Sequence, residues 1–193
     1  FFIFFAMLIA ALLIKYEAKK KGLAEETLID MIFYGIIFGI LGARIYYVIF
    51  NLSYYLENPL EIIQIWKGGL AIHGGIIAGL LFITIYSKKK NLKLSLLTDI
   101  IAPGLIIAQA IGRWGNFFNQ EAYGQIIKLS TLEKLHLPQF IIDGMYINGF
   151  YRQPTFLYES VMSIIGFIIL MIIRRNSKIR TGQITSIYLI WYG

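Results

Sequence analysis

The sequence contains no cysteine, and this absence excludes several kinds of chemistry. A chain without a thiol forms no disulfide, no thiolate metal site and no covalent intermediate on a cysteine of its own. Charged residues are also scarce, at 15% of 193 positions against about 25% in ordinary soluble proteins. With 58% hydrophobic residues, this composition excludes a soluble domain.

Familiar catalytic motifs are missing as well. The sequence has no His-Glu-x-x-His motif or multi-carboxylate cluster, so no metal site is predicted. It has no glycine-rich phosphate loop and no Gly-x-Ser-x-Gly elbow, which argues against a nucleotide enzyme and a serine hydrolase. We therefore predict neither metal nor cofactor.

Long apolar runs are what the sequence does contain. Six can be marked, at residues 1–14, 29–50, 69–86, 95–111, 156–173 and 183–193. The middle ones approach the ~20 residues that a helix needs to cross a bilayer, and they are too continuous for barrel strands. The pattern predicts an all-α polytopic membrane protein: a helical bundle of about six spans here and about seven in the intact protein. We interpret 1–193 as a single transmembrane domain truncated at both ends.

The basic residues predict which connections face the cytoplasm. Twelve of the 18 Lys and Arg residues follow the first, third and fifth runs: Lys15, Lys19, Lys20, Lys21, Lys88, Lys89, Lys90, Lys93, Arg174, Arg175, Lys178 and Arg180. By the positive-inside rule these turns are cytoplasmic, so residues 51–68 and 112–155 lie on the outer side. The net charge of +7 thus indicates a membrane surface and not nucleic acid. We expect 112–155 to form a small extracytoplasmic cap.

Polar and charged residues, which are unfavourable within a bilayer, lie near the predicted outer ends of the apolar runs. A charge within a bilayer costs at least ~2.5–3.5 kcal/mol, so each one needs an explanation. Four separate stretches place such groups at one membrane depth, which predicts that they share a wet pocket. These residues are Arg44, His73, Arg113, Asn116, Asn119, Glu121, Arg152, Tyr158 and Glu159.

Structural roles compete with functional ones for several of them. A single histidine is often a satisfied core residue, although the glycines around His73 leave room for a ligand. Arg44 can snorkel to the surface, or pair with Glu121 or Glu159. Asp99 is predicted to cap or pair structurally, and glycines at helical spacing predict close helix packing (Gly35, Gly39, Gly75 and Gly79).

Two arginines near a membrane interface suit an anionic lipid head group, because guanidinium forks match phosphate oxygens. A neutral histidine beside them can accept a proton from a nucleophile. These residues alone indicate a membrane enzyme or a carrier that handles an anionic lipid from the outer side.

Four ordered motifs resemble one family. The segment Gly112–Gly124, with Gly-Arg, Gly-Asn, Asn-x-Glu and a final Gly, resembles the signature of bacterial prolipoprotein diacylglyceryl transferases. Three further motifs resemble that family in the same order: Gly42-x-Arg44-x-x-Tyr47-Val48, Trp66-Lys67-Gly68-Gly69 followed by His73-Gly74-Gly75, and Arg152-x-Pro154-x-x-Leu157-Tyr158-Glu159. Trp191-Tyr192-Gly193 resembles the start of a stretch that carries a catalytic arginine in the family.

The resemblance implies a reaction and its partners. In that reaction the diacylglyceryl group of phosphatidylglycerol moves to the lipobox cysteine in a prolipoprotein signal peptide, and glycerol phosphate leaves. It implies His73 and Arg113 as catalytic residues, with Arg113, Asn116, Asn119, Arg44 and Glu121 binding substrate. Glu121 is expected to orient Arg113. The implied location is the bacterial cytoplasmic membrane, with the active site facing outward. A transporter or carrier of an anionic lipid or ion is the alternative.

Overall fold

The computed structural model describes residues 2–176 and 178–193, so Phe1 and Ser177 lie outside the described residues. Helices make up most of this part of the chain, which confirms the all-α prediction. In chain order they are α1 (Phe2–Lys20), α2 (Glu25–Phe50), α3 (Leu52–Glu57), α4 (Ile72–Lys89), α5 (Leu94–Phe118), α6 (Leu129–Glu133), α7 (Gln139–Gly144), α8 (Thr155–Ile173) and α9 (Gln183–Tyr192). Two short strands, β1 (Tyr146–Ile147) and β2 (Phe150–Tyr151), form an antiparallel hairpin.

Each of the six predicted apolar runs lies mainly in a helix, although residues 69–71 of the third run precede α4. Within residues 2–176 and 178–193, three helices are both long and apolar enough to cross a membrane: α2, α5 and α8. The other three are α1 and α4, which end in pairs of lysines, and α9, which has 10 residues. With three such helices, the chain is a multi-pass membrane protein.

The chain divides into two compact units. The Arg44 unit comprises Glu17–Leu97, and the Arg113 unit comprises Phe1–Tyr16 with Thr98–Gly193.

In the Arg44 unit, α2 packs closely against α4 through two glycines. A Cβ atom at Gly42 would lie 2.6 Å from the carbonyl oxygen of Gly74, and a Cβ at Gly74 would collide with that of Gly42. The glycines predicted to mediate this packing do so only in part. A Cβ at Gly75 would lie 3.4 Å from the carbonyl oxygen of Gly39, whereas a Cβ at Gly39 or Gly79 would meet none of the described residues within 4 Å. The tight contact with Gly74 thus lies at Gly42, the first residue of the Arg44 motif.

In the Arg113 unit, α5 packs against α8 and α9. Their contact is built around the buried side chains of Ala102, Ile106, Leu170 and Ile184. The Asp99 carboxylate accepts hydrogen bonds from the backbone N–H of Gly182 (2.6 Å) and from that of Thr185 (2.8 Å). These donors belong to the N-terminus of α9, whose dipole favours a negative charge. The predicted structural role of Asp99 is confirmed.

Residues 119–154, which connect α5 to α8, form a small subdomain. It contains α6, α7 and the hairpin, packed around a core of Phe117, Leu132, Ile141, Ile142, Met145, Ile147 and Phe156. The sequence predicts that the cap starts at residue 112, but residues 112–118 complete α5. Arg113 and Asn116 therefore stand on a helix, which holds them more rigidly than a loop does.

Candidate active site

Arg113 lies near the end of α5 and forms an ion pair with Glu159 of α8, through Nη2 and Oε2. Both side chains are partly open, with 28% of Arg113 and 45% of Glu159 exposed. An exposed ion pair contributes little to stability, ~1 kcal/mol or less. The guanidinium can therefore leave its carboxylate for an anionic ligand at small cost.

At the end of α5 and in the turn that follows it, two amides converge on one carboxylate. Asn116 Nδ2 donates to Glu121 Oε1 at 3.3 Å, and Asn119 Nδ2 donates to the same oxygen at 3.2 Å. The sequence predicts that Glu121 orients Arg113; in the structure Glu159 pairs with Arg113, and Glu121 holds the two asparagines. The reason is the turn after α5, where the N–H of Glu121 bonds the carbonyl of Asn116 and folds the side chain back.

The relative placement of α5 and α8 at the site is fixed by buried contacts. Trp114 Nε1 donates to Ser160 Oγ at 3.2 Å, and Ser160 Oγ donates to the carbonyl of Ala110 at 3.0 Å. The rings of Phe117 and Phe156 stack with centroids 4.5 Å apart. These contacts hold the Arg113 and Glu159 backbones in register.

Backbone hydrogen bonds also connect the two motifs of the Arg113 unit. The N–H of Gly124 donates to the carbonyl of Gln153 at 3.0 Å. A side chain at position 124 would collide with Gln153 and Thr155, which explains the final glycine of the segment. Arg152 lies over the ring of Tyr123, 5.0 Å from its centroid.

Arg44 has a different environment in its own unit. It is 6% exposed, and its guanidinium donates four hydrogen bonds to backbone carbonyls. The acceptors are Ile62 (2.8 Å), Glu61 (2.5 Å), Gly68 (2.8 Å) and Gly69 (2.8 Å). Four of the five N–H donors of a guanidinium are thereby used. The sequence predicts a head-group contact or a carboxylate pair for Arg44; the structure shows it bound to the backbone of the connection between α2 and α4.

That connection leads directly into His73. Gly68 and Gly69 have φ angles of +88° and +75°, and the N–H of Ala71 donates to the carbonyl of Ala43 at 3.0 Å. His73 follows as the second residue of α4, exposed, with its ring 6.1 Å from that of Tyr46. Arg44 therefore fixes the chain segment that presents His73.

A charged cluster lies on the same connection. The Glu61 carboxylate accepts from Lys67 Nζ at 2.8 Å and from the Tyr54 hydroxyl at 2.7 Å. These two hydrogen bonds lower the pKa of the Glu61 carboxyl, and the bond from Lys67 has the larger effect. The Glu61 carboxylate is thus bound by Lys67 and Tyr54, while Arg44 bonds the backbone carbonyl of Glu61.

The structure thus brings the four motifs together in two pairs, one in each unit. The Arg44 motif contacts the Gly68-Gly69 motif, and the Arg113 motif contacts the Arg152 motif. That all four share one pocket stays a prediction. Glu159, the partner of Arg113, could be found in the sequence because it is a charged residue at the start of an apolar run. The partners of Arg44 are backbone carbonyls, which no side-chain pattern in the sequence indicates.

Comparison with known proteins supports the family resemblance that the four motifs indicate. All 193 residues match the family described as prolipoprotein diacylglyceryl transferase. A protein of Staphylococcus aureus (strain MSSA476), named phosphatidylglycerol–prolipoprotein diacylglyceryl transferase, is 56% identical over 173 residues, which are 90% of this chain and 61% of that protein. A protein of the same name from Staphylococcus xylosus is 53% identical over 176 residues, covering 91% of this chain and 63% of that protein.

The chain thus spans about three fifths of the length of these curated relatives. The family match nevertheless extends over every residue, including the four motifs and the ion pair described above. The chain belongs to the prolipoprotein diacylglyceryl transferase family.

Proposed function

We propose that the protein containing this chain transfers the diacylglyceryl group of phosphatidylglycerol to the thiol of a lipobox cysteine in a prolipoprotein signal peptide. A sulfur–carbon bond forms, the bond between the glycerol carbon and the phosphate oxygen breaks, and glycerol phosphate leaves. The nucleophile belongs to the substrate, which is consistent with a chain that contains no cysteine.

One observation carries the proposal. Near the end of a membrane-spanning helix, Arg113 is paired with the partly exposed carboxylate of Glu159, and the amides of Asn116 and Asn119 follow it within six residues of the chain. A guanidinium with two amides is suited to phosphate and hydroxyl oxygens. The names of the relatives point to a phospholipid with both groups in its head.

The residues have separate roles in this proposal. Arg113 exchanges Glu159 for the phosphate and stabilises the charge that develops on it as the bond breaks. Asn116 and Asn119, held by Glu121, bind head-group oxygens. His73 takes the proton of the thiol, because the thiolate is the reactive form. Arg44 acts on His73 through the backbone that it clamps.

We further propose a bacterial cytoplasmic membrane location, with Arg113 and His73 on the outer side. The lysines and arginines that end α1, follow α4 and follow α8 favour the cytoplasmic face. Comparison with the family favours a transferase over the alternative of a lipid or ion carrier.

A transfer assay on the full-length protein tests the proposal, using a lipobox peptide and phosphatidylglycerol labelled in its acyl chains. We expect label on the peptide cysteine and its loss in His73→Ala. The matched control is His136→Ala, because His136 lies on an exposed turn of the small subdomain. A folded protein that leaves the cysteine unlabelled would refute the proposed function, and an active His73→Ala would remove His73 as the base.

A further inference from the structure

One polar side chain within the apolar part of α5 has an unused hydrogen-bonding atom. Gln109 Nε2 bonds the hydroxyl of Tyr188 in α9 at 3.0 Å. The other amide atom, Oε1, is buried and has no partner among the described residues. A buried polar atom without a partner costs about 1–3 kcal/mol, so this arrangement calls for an explanation.

The unused atom can be a donor as easily as an acceptor. The two ends of a glutamine amide have the same shape, and a tyrosine hydroxyl both donates and accepts. If Tyr188 donates to Oε1, the N–H donors of Nε2 are left free. In either orientation one end of the amide is left without a partner among the described residues, and Tyr188 fixes its position.

The position of Gln109 relates this free end to the substrate. Gln109 precedes Arg113 by four residues on α5, so the two side chains lie on one face of the helix, about 6 Å apart along its axis. Arg113 lies toward the end of the helix and Gln109 one turn further into the apolar span. A phospholipid whose phosphate contacts Arg113 has its ester groups in that direction, a few bonds from the phosphate.

From this geometry we infer that the Gln109 amide, held by Tyr188, donates a hydrogen bond to an ester carbonyl of the diacylglyceryl group. The inference rests on the proposed function and deepens it, because it assigns a contact to the transferred group itself. Gln109 then distinguishes ester-linked lipids from ether-linked ones, which lack the carbonyl.

The test compares two phosphatidylglycerols with the full-length protein, one with ester-linked and one with ether-linked chains of equal length. We expect the unchanged protein to prefer the ester lipid in kcat/KM by about fivefold, the value of one neutral hydrogen bond. Gln109→Met fills a similar volume without the amide. We expect it to lower the ester rate, leave the ether rate nearly unchanged, and bring the ratio close to one.

The ratio is measured within one preparation, so a variant that folds poorly still gives a valid result. The control is Gln139→Met, because Gln139 is exposed in α7 and bonds Asp143; its ratio should equal that of the unchanged protein. An unchanged ratio in Gln109→Met would overturn the inference and assign the free amide end to a bound water. Absence of transfer from both lipids in the unchanged protein would instead refute the proposed function.

Discussion

The two arginines of the predicted site differ in what they bind, and the difference separates their roles. Arg44 is almost fully buried and donates to four backbone carbonyls. Arg113 is 28% exposed and is paired with a carboxylate that is itself 45% exposed. Carbonyls of the chain cannot be replaced by a ligand without unfolding the segment, whereas an exposed carboxylate can. We therefore propose a structural role for Arg44 and anion binding for Arg113.

The largest expected effect follows from replacing Arg113. Arg113→Ala removes the cation that we propose stabilises the developing phosphate charge, so we expect transfer to slow by about 10²–10³-fold, as for other electrostatic groups of this kind. The thermal midpoint should hardly change, because an exposed ion pair contributes little. Single-turnover transfer and thermal unfolding measure the two effects.

The control for this change is Arg175→Ala, which removes an exposed arginine that follows α8. We expect normal transfer in this variant. An Arg113→Ala protein with full activity would mean that its pair with Glu159 is structural and that the comparison of the two arginines fails.

Replacing Arg44 should mainly lower stability, in contrast to replacing Arg113. Arg44→Ala leaves four carbonyls without their donor, and we expect the free energy of unfolding to fall by about 2–3 kcal/mol. Arg44→Lys should not restore it, because an ammonium lacks the planar fork that reaches several carbonyls. Denaturant or thermal unfolding in detergent measures this loss. A stable Arg44→Ala protein with weakened lipid binding would instead support the head-group contact that the sequence predicts.

A smaller effect tests the contact between Arg44 and Gly69 directly. A Cβ atom at Gly69 would lie 2.5 Å from Arg44 Nη1, so Gly69→Ala should be less harmful once Arg44 is alanine. We expect a coupling of about 1 kcal/mol in the double-mutant cycle of unfolding free energies.

Gly22→Ala is the matched control for this cycle. Gly22 has a similar φ of +73°, but none of the described residues lies within 4 Å of its Cβ position. The effects of Gly22→Ala and Arg44→Ala on the free energy of unfolding should therefore be additive. Additivity at both glycines would show that the close contact with Arg44 is not what makes Gly69 necessary.

Several features of the fold were predictable because they depend on side-chain type and spacing alone. The six apolar runs became helices because lipid leaves the backbone no other partner. Asp99 was predictable as a structural residue since a carboxylate within a span needs donors nearby. The sequence predicts a cap that begins at residue 112, whereas the helix continues to Phe118 because Phe117 is buried against the small subdomain.

The site was only partly predictable, for a physical reason. Polar residues at the end of an apolar run indicate a site, and these are Arg113, Asn116, Asn119 and Glu121. The sequence does not show which carboxylate pairs with the guanidinium, because that depends on the turn after α5 and on the packing of α8. The partners of Arg44 are backbone carbonyls, which every residue has. No pattern of side chains predicts them, although the adjacent Gly68 and Gly69 indicate an unusual backbone.

Binding of a short-chain phosphatidylglycerol, followed by phosphorus NMR, tests the division between the two arginines most directly. We predict a saturable shift of the phosphorus resonance with the unchanged full-length protein and with Arg44→Ala held below its unfolding temperature, and loss of that shift in Arg113→Ala. A shift that survives in Arg113→Ala and disappears in a folded Arg44→Ala protein would contradict the account.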